Sequence, residues 1–311
     1  MRVLVTGGNG FVGRHAVRVL AERGHDPIVA SRPSAGPVDL PMDLAEPANL
    51  RGVIEAATPD AVLHLAGQAS VRESARDALA TYDVNAVGTA RLLDAILTAT
   101  GRPIHFVLAS SGEVYGRKPA RAYPLDEAQA PEPDSVYAAS KLAAEAFARA
   151  AASDRLALTI ARPFNHIGPG QDPCFVVPAF ARQIAAIAAG TAADAKLWVG
   201  NLKPQRDFLD VRDVALAYAL LIEGRLEGVF NICSGQPTAI VDILRTLVTF
   251  ARTGVEIRES PELFRATDHP IAFGSNAKLM AATGWTQART LAQSLRDVYD
   301  EAFASAKSGV A

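Results

Sequence analysis

Short apolar runs rich in β-branched residues alternate with longer stretches of helical spacing from the start of the chain. Residues 2–5, 27–30, 61–65, 104–108 and 156–161 read as strands, with a shorter strand just before Asp43. Between them, apolar positions recur at helical spacing over 14–23, 78–100 and 136–152. Strands alternating with helices predict parallel βαβ units, and strands this apolar are those of a sheet covered on both faces. Beyond residue 161 the alternation weakens. Helices are expected over 175–189, from Asp213 to about 221, over 241–251 and over 291–303, with strands at 196–199 and 229–233. No linker, repeat or low-complexity tract separates the halves. The expected architecture is α/β: a Rossmann-type doubly wound parallel sheet over 1–163, to which residues from about 205 to 232 return. The rest of 164–311 is expected to form a smaller C-terminal α/β substrate-binding lobe, with a cleft between the two.

Composition narrows the classes. At 311 residues the chain can bury a large core, and 49% apolar with 21% charged residues is the balance of a globular protein. A net charge of −2 gives no nucleic-acid or membrane-surface signal, and no apolar run is long enough to span a bilayer. Cys174 and Cys233 lie far apart and outside any metal-ligand pattern. They read as buried thiols of a reducing compartment, and the expected location is cytoplasmic, with no metal.

The chemistry begins at residue 7. Gly7, Gly10 and Gly13 join the first strand to the first helix at three-residue spacing. Such a turn aims backbone N–H groups and the positive end of a helix dipole at one spot, which suits a pyrophosphate. Gly7 would allow the tight turn, Gly10 the approach of the phosphate, and Gly13 the packing of helix on strand. Glycines also mark ordinary turns; their place after a buried strand favours dinucleotide binding. At the end of the second strand, where NAD-selective folds keep an acid, stand Ser31 and Arg32. A hydroxyl and a cation there suit a 2′-phosphate, which favours NADP(H) over NAD(H); the alternative is a solvated arginine. Asp43 and Leu44 follow the third strand and would lie by the adenine.

His64, Leu65, Ala66 and Gly67 close the fourth strand, where small residues let a cofactor approach the backbone; His64 itself reads as a packed histidine. Asn85 sits in mid-helix, where asparagine is mildly unfavourable, so it is expected to have a hydrogen-bonding task. The fifth strand delivers Ser110, Ser111, Gly112 and Glu113 to the same sheet edge. Tyr137 and Lys141 lie four residues apart on one helical face. An ammonium beside a phenol favours phenolate, so the spacing predicts a lowered Tyr137 pKa.

These segments together resemble the extended short-chain dehydrogenase/reductase family, in its nucleotide-sugar branch. The motifs are Thr6-Gly7-x-x-Gly10-x-x-Gly13, His64-Leu-Ala-Gly67, Asn85-x-x-Gly-Thr89, Ser111, Tyr137-x-x-x-Lys141, Arg162-Pro-Phe-Asn165 and the run from Arg206 to Asp213. The resemblance implies that Ser111 and Tyr137 polarise and protonate a sugar carbonyl while Lys141 also holds the nicotinamide ribose. It implies cofactor contacts at Gly7, Gly10, Phe11, Val12, Gly13, Ser31, Arg32, Asp43, Leu44, Leu65, Ala66, Gly67, Tyr137, Lys141 and Arg162. Substrate contacts are implied at Asn165, Val176, Arg206, Arg265 and Asp268. The 164–170 segment, Gly200-Asn201-Leu202 and Arg265-x-x-Asp268 resemble the members that handle GDP-linked 6-deoxyhexoses. The dehydratases of that group carry Asp or Ser before a glutamate; this chain has Gly112 before Glu113. The resemblance therefore implies NADP(H)-dependent reduction of the C4 ketone of a GDP-4-keto-6-deoxyhexose, giving a sugar such as GDP-rhamnose. A 4,6-dehydratase using Glu113, a 4-epimerase and a cofactor-sensing regulator on the same fold are the alternatives. A homodimer is expected, paired through the 78–100 and 136–152 helices.

Overall fold

The computed structural model describes residues 1–32, 36, 38–264 and 269–308. Its first half runs β1 (Arg2–Thr6), α1 (Phe11–Glu22), β2 (Asp26–Ser31), β3 (Leu40–Pro41), α2 (Leu50–Ala57), β4 (Ala61–His64), α3 (Val71–Arg76), α4 (Ala78–Tyr82), α5 (Gly88–Ala99), β5 (Ile104–Ala109), α6 (Val136–Ala151) and β6 (Leu156–Pro163). Its second half runs β7 (Asn165–Ile167), α7 (Val176–Ala189), β8 (Lys196–Val199), β9 (Gln205–Asp210), α8 (Val211–Glu223), β10 (Gly228–Ile232), β11 (Pro237–Ala239), α9 (Ile240–Ala251), β12 (Glu256–Glu259), β13 (Ile271–Ala272), α10 (Ala277–Thr283) and α11 (Leu291–Ser308).

Seven strands form one parallel sheet in the order β10-β6-β5-β4-β1-β2-β3. Chain order reverses between β1 and β4, and the C-terminal ends of those strands are where ligands of such sheets bind. Alternation along β1 sends Leu4 to one face and Val3 and Val5 to the other. Leu4 joins Val62, Phe106 and Leu158 beneath Ile54 of α2, Ile96 of α5 and Ala148 of α6. Val3 and Val5 join Leu63 and Val107 beneath Leu20 of α1 and Val214, Tyr218 and Leu221 of α8. Thus α8 and β10, from late in the chain, complete the main sheet. β9 instead belongs to a separate four-stranded sheet with β7, β11 and β13.

A third apolar cluster, including Phe180, Ile184, Leu244, Leu247, Leu295 and Tyr299, packs α7, α9 and α11 against β8 and β9. The expected 78–100 helix is interrupted by a π-helical turn at Asp83–Val87. Cys233 is buried as expected, but Cys174 is exposed: it lies in the turn before α7, outside the apolar clusters. No helix among the described residues is long and apolar enough to cross a membrane.

Candidate active site

The glycine loop is built by close backbone contact. Gly7 has φ +70°, and a Cβ on it would lie 2.9 Å from the Cα and N of Ala66, so the ends of β1 and β4 abut. A Cβ on Gly13 would lie 2.6 Å from the Gly8 carbonyl oxygen. Only glycine lets α1 start this near the strand. Gly10 takes the N-cap position, and no side chain caps the helix, so the N–H groups of its first turn keep their aim. These features form a cradle that a pyrophosphate fits and a side chain would fill.

Beneath the loop, the single hydroxyl protons fix a hydrogen-bond chain. Thr89 Oγ1 donates to the Asn85 carbonyl at 2.7 Å, so His64 Nε2 must donate to Thr89 at 3.0 Å. His64 Nδ1 then accepts from Thr6 Oγ1 at 2.7 Å, and Thr6 accepts from Ala66 N at 3.2 Å. Burial, with a smaller push from the Lys141 charge, lowers the His64 pKa to about 3, so the ring stays neutral. Asn85 holds both backbone polar groups of Gln68, taking its N–H at 2.7 Å and giving to its carbonyl at 3.1 Å, and it also donates to Ser140 at 2.9 Å. That is the task expected of it. The widened π turn at this residue ties the end of β4 to α6.

At the end of β2, Ser31 accepts from Asn9 N at 3.3 Å, while Arg32 is exposed. The nearest downstream acid, Asp39, accepts from Val29 N at 2.8 Å. Asp43 turns back on Ala45 N at 2.9 Å, and Leu44 is buried beside it, so that Gly88 has no room for a side chain.

Ser111, Tyr137 and Lys141 come together beyond the ends of β4 and β5. Ser135 caps α6, accepting from Ala138 N at 3.2 Å, and so fixes the first turn of the helix, which carries Tyr137. Lys141 Nζ donates to the Ala109 carbonyl at 2.9 Å and lies 3.5 Å from the point where a Gly67 Cβ would stand. The expected lowering of the Tyr137 pKa is not found. Burial raises it to about 12; the Ser111 hydrogen bond opposes this and the Glu113 charge adds to it. Burial also brings Lys141 down to about 8. Desolvation outweighs the Ser111 hydrogen bond at Tyr137 and is the cause of the shift at Lys141.

Gly112 is buried, and a Cβ there would meet the Phe164 ring at 2.9 Å. The same ring lies 2.6 Å from the equivalent point on Gly274, so it is sandwiched between two glycines. Arg162, expected on the cofactor, has its side chain committed elsewhere: it is 2% exposed and gives Nε and Nη2 to Glu145 at 2.9 and 2.7 Å.

On the second half, the loop after β6 rests on the first turn of α1. Phe11 stacks on His166 at 5.9 Å, Arg14 donates to the Gly170 carbonyl at 3.1 Å and His15 to that of Pro169 at 3.1 Å. Asn165 opens β7 and Val176 opens α7. Arg206 donates to the His269 carbonyl at 2.6 Å, and His269 meets Asp134 at 2.6 Å. Arg265 and Asp268 lie outside the described residues. Several acids of the Arg206 motif are structural staples. Asp207, fully buried, gathers Ser234 N and Oγ at 2.7 Å and Gly235 N at 3.0 Å. Asp210 caps α8 and accepts from Ser294 at 2.6 Å.

A phosphate cradle, a tyrosine–lysine helix and a serine-bearing strand end share one sheet edge. The model of the NAD dependent epimerase/dehydratase family matches residues 3–233. The chain belongs to this family. As a member of the family it is an extended short-chain dehydrogenase/reductase, similar over its whole length to several others. It is 41% identical to GDP-6-deoxy-D-mannose reductase of Pseudomonas aeruginosa over 302 residues, covering 96% of each chain. The structure of RMD from Pseudomonas aeruginosa complexed with NADPH superposes with a TM-score of 0.88 at 38% identity, covering 98% of this chain and 99% of that one. Thermus thermophilus UDP-glucose 4-epimerase in complex with NAD gives 0.85 at 31%, covering 97% and 99%. Among the described residues no group of three or more His, Cys, Asp or Glu is arranged to hold a metal ion.

Proposed function

We propose that the protein is an NADPH-dependent reductase acting on the C4 ketone of a GDP-linked 4-keto-6-deoxyhexose, giving a GDP-6-deoxyhexose such as GDP-rhamnose. The observation that carries this reading is Gly112, a backbone position packed against the Phe164 ring where elimination chemistry would need a proton donor. The likeness to a GDP-6-deoxy-D-mannose reductase supports the same choice of reaction and nucleotide.

A reduced nicotinamide held over the glycine loop would supply the hydride that C4 needs. Tyr137, with its pKa raised to about 12, keeps its proton at neutral pH and gives it to the C4 oxygen. Ser111, hydrogen-bonded to Tyr137, offers a second donor to that oxygen. Below about pH 8 Lys141 is an ammonium anchored to the Ala109 carbonyl, placed to bond the ribose. Arg206 and Asn165 are assigned to the nucleotide diphosphate and sugar, with Val176 beside them; Arg265 and Asp268 are assigned to the same end by resemblance. NADP(H) is preferred because Ser31 and exposed Arg32 stand where an acid would favour NAD(H); the likeness to a structure complexed with NADPH supports this. Homodimerisation is proposed through α4, the π turn and α6.

Glu113, half-buried and near enough to act on Tyr137, favours one second reading, a 4,6-dehydratase with this carboxylate as the base at C5. The two readings part on GDP-mannose. Given GDP-mannose and catalytic NADP⁺, the protein should form no 4-keto-6-deoxy sugar. Given that keto sugar and NADPH, it should oxidise one cofactor per sugar reduced. Accumulation of keto sugar from GDP-mannose alone would replace the reductase reading with the dehydratase.

A further inference from the structure

Glu145 lies one turn beyond Lys141 on α6 and has no access to water. A buried carboxylate persists only where its charge and lone pairs are met. Here Ser110 Oγ donates at 2.6 Å, Arg162 Nε and Nη2 at 2.9 and 2.7 Å, and Arg149 Nη2 at 2.8 Å. Burial pushes its pKa up, but Arg162, Ser110 and Arg149 together hold it below the ordinary carboxylate value. The Arg162 guanidinium also sits 4.8 Å from the centroid of the Tyr115 ring, whose hydroxyl donates to Asn231 of β10 at 2.9 Å. One carboxylate therefore joins the end of β5 to α6 and β6, and through Tyr115 the network reaches β10.

Ser110 is the partner that matters for chemistry, because the next residue is Ser111. The Ser110 backbone is already tied to β6, its N–H donating to the Ala161 carbonyl at 2.8 Å. Ser111 is extended, at φ −159° and ψ 149°. Successive side chains of an extended chain point to opposite sides. Anchoring the Ser110 hydroxyl inward therefore aims the Ser111 hydroxyl outward, toward Tyr137.

We propose that Glu145 is a positioning residue: by accepting the Ser110 hydroxyl it fixes the strand end that presents Ser111. α6, which carries Tyr137, Lys141 and Glu145, then sets the whole proton-handling group as one rigid body. The proposal rests on the catalytic reading of Ser111 and Tyr137 above. Structural filling is the competing role for Glu145, and the two separate in kinetics.

Ser110→Ala deletes the hydroxyl and keeps the ion pair. Its kcat for the keto sugar should fall about ten- to a hundredfold, the scale of one hydrogen bond to an ionised partner, while KM for NADPH stays within twofold. Two double variants divide the roles further. Glu145→Gln with Arg162→Met and Glu145→Leu with Arg162→Met both remove the buried charges, but only glutamine leaves an oxygen for Ser110. At matched Tm the glutamine form should turn over at least about tenfold faster than the leucine form. Equal kcat in the two, or a Ser110→Ala kcat within twofold of the parent, would overturn the proposal. If either double variant fails to fold, Ser110→Ala alone decides. Tyr137→Phe measured alongside keeps the readings apart. Near-normal turnover there removes the catalytic assignment, whereas an inactive Tyr137→Phe beside normal Ser110 variants removes only the positioning role.

Discussion

A lysine 8% exposed keeps its charge at a cost, and Lys141 shows how large that cost is. Burial lowers its pKa from 10.5 to about 8 in the folded chain. Between those values the unfolded chain holds a proton that the folded chain has released, so stability rises with pH across that window. Below about pH 8 both states hold the proton and the full burden of the buried ammonium is present, on the order of 3 kcal/mol. Lys141→Met should therefore be more stable than the parent at pH 7. That advantage should shrink by roughly 3 kcal/mol between pH 8 and 10.5, as the parent lysine becomes neutral. Denaturant unfolding at a series of pH values measures it, and a constant difference would refute it. The Tyr137/Lys141 pair was legible in the sequence because its spacing is local. The direction of the Tyr137 shift was not, since depth of burial is a property of the assembled fold. Glu145 continues the same helical face four residues past Lys141, so its place could have been read; its pairing with Arg162 joins a helix to a strand and leaves no local pattern.

Among the elements, β1 and the glycines after it were the most legible, because a tight strand-to-helix turn requires glycine where backbones meet. The proposed preference for NADP(H) rests on the end of β2. Arg32 is exposed there, so a 2′-phosphate would meet a cation, and the nearest downstream acid, Asp39, is engaged with the Val29 N–H. Arg32→Ala should raise the Kd for NADPH about tenfold or more and leave that for NADH nearly unchanged, because a charge-assisted contact exists only with the phosphate. Equal weakening of both, measured by fluorescence titration, would refute the assignment. The 78–100 segment shows where periodicity stops being informative. Its apolar spacing is helical throughout, yet the Asp83–Val87 turn is π, and what holds it is Asn85 bonding Gln68 and Ser140. Apolar spacing does not record such side-chain partners. The acids from Asp207 to Asp213 likewise have the look of a site motif, but Asp207 and Asp213 bond groups tens of residues further along, and Asp210 divides between Arg212 beside it and the distant Ser294.

Over the whole molecule, three exposed apolar residues on neighbouring elements fit the proposed homodimer. Leu79 of α4 is 84% exposed, Val87 at the end of the π turn 39% and Phe147 of α6 44%. Apolar side chains left uncovered on neighbouring helices suit a second copy of the chain. The protein should sediment as a dimer, and Leu79→Glu with Phe147→Glu should shift it to monomer at micromolar concentration. A concentration-independent monomer in the parent protein would refute this. The main sheet has a different consequence, for how the chain emerges during synthesis. Once residue 163 has appeared, six of the seven strands exist, but the face carrying Val3, Val5, Leu63 and Val107 still lacks α8. β6 also stays an open edge until β10 arrives. Arg23 and His25 wait for Glu223, which they bond at 2.6 and 3.0 Å. The nascent first half thus carries an apolar face covered only by α1 for some sixty further residues, about 3 to 12 seconds at ordinary elongation rates. During that interval its solubility depends on whatever covers that face before its own helix does.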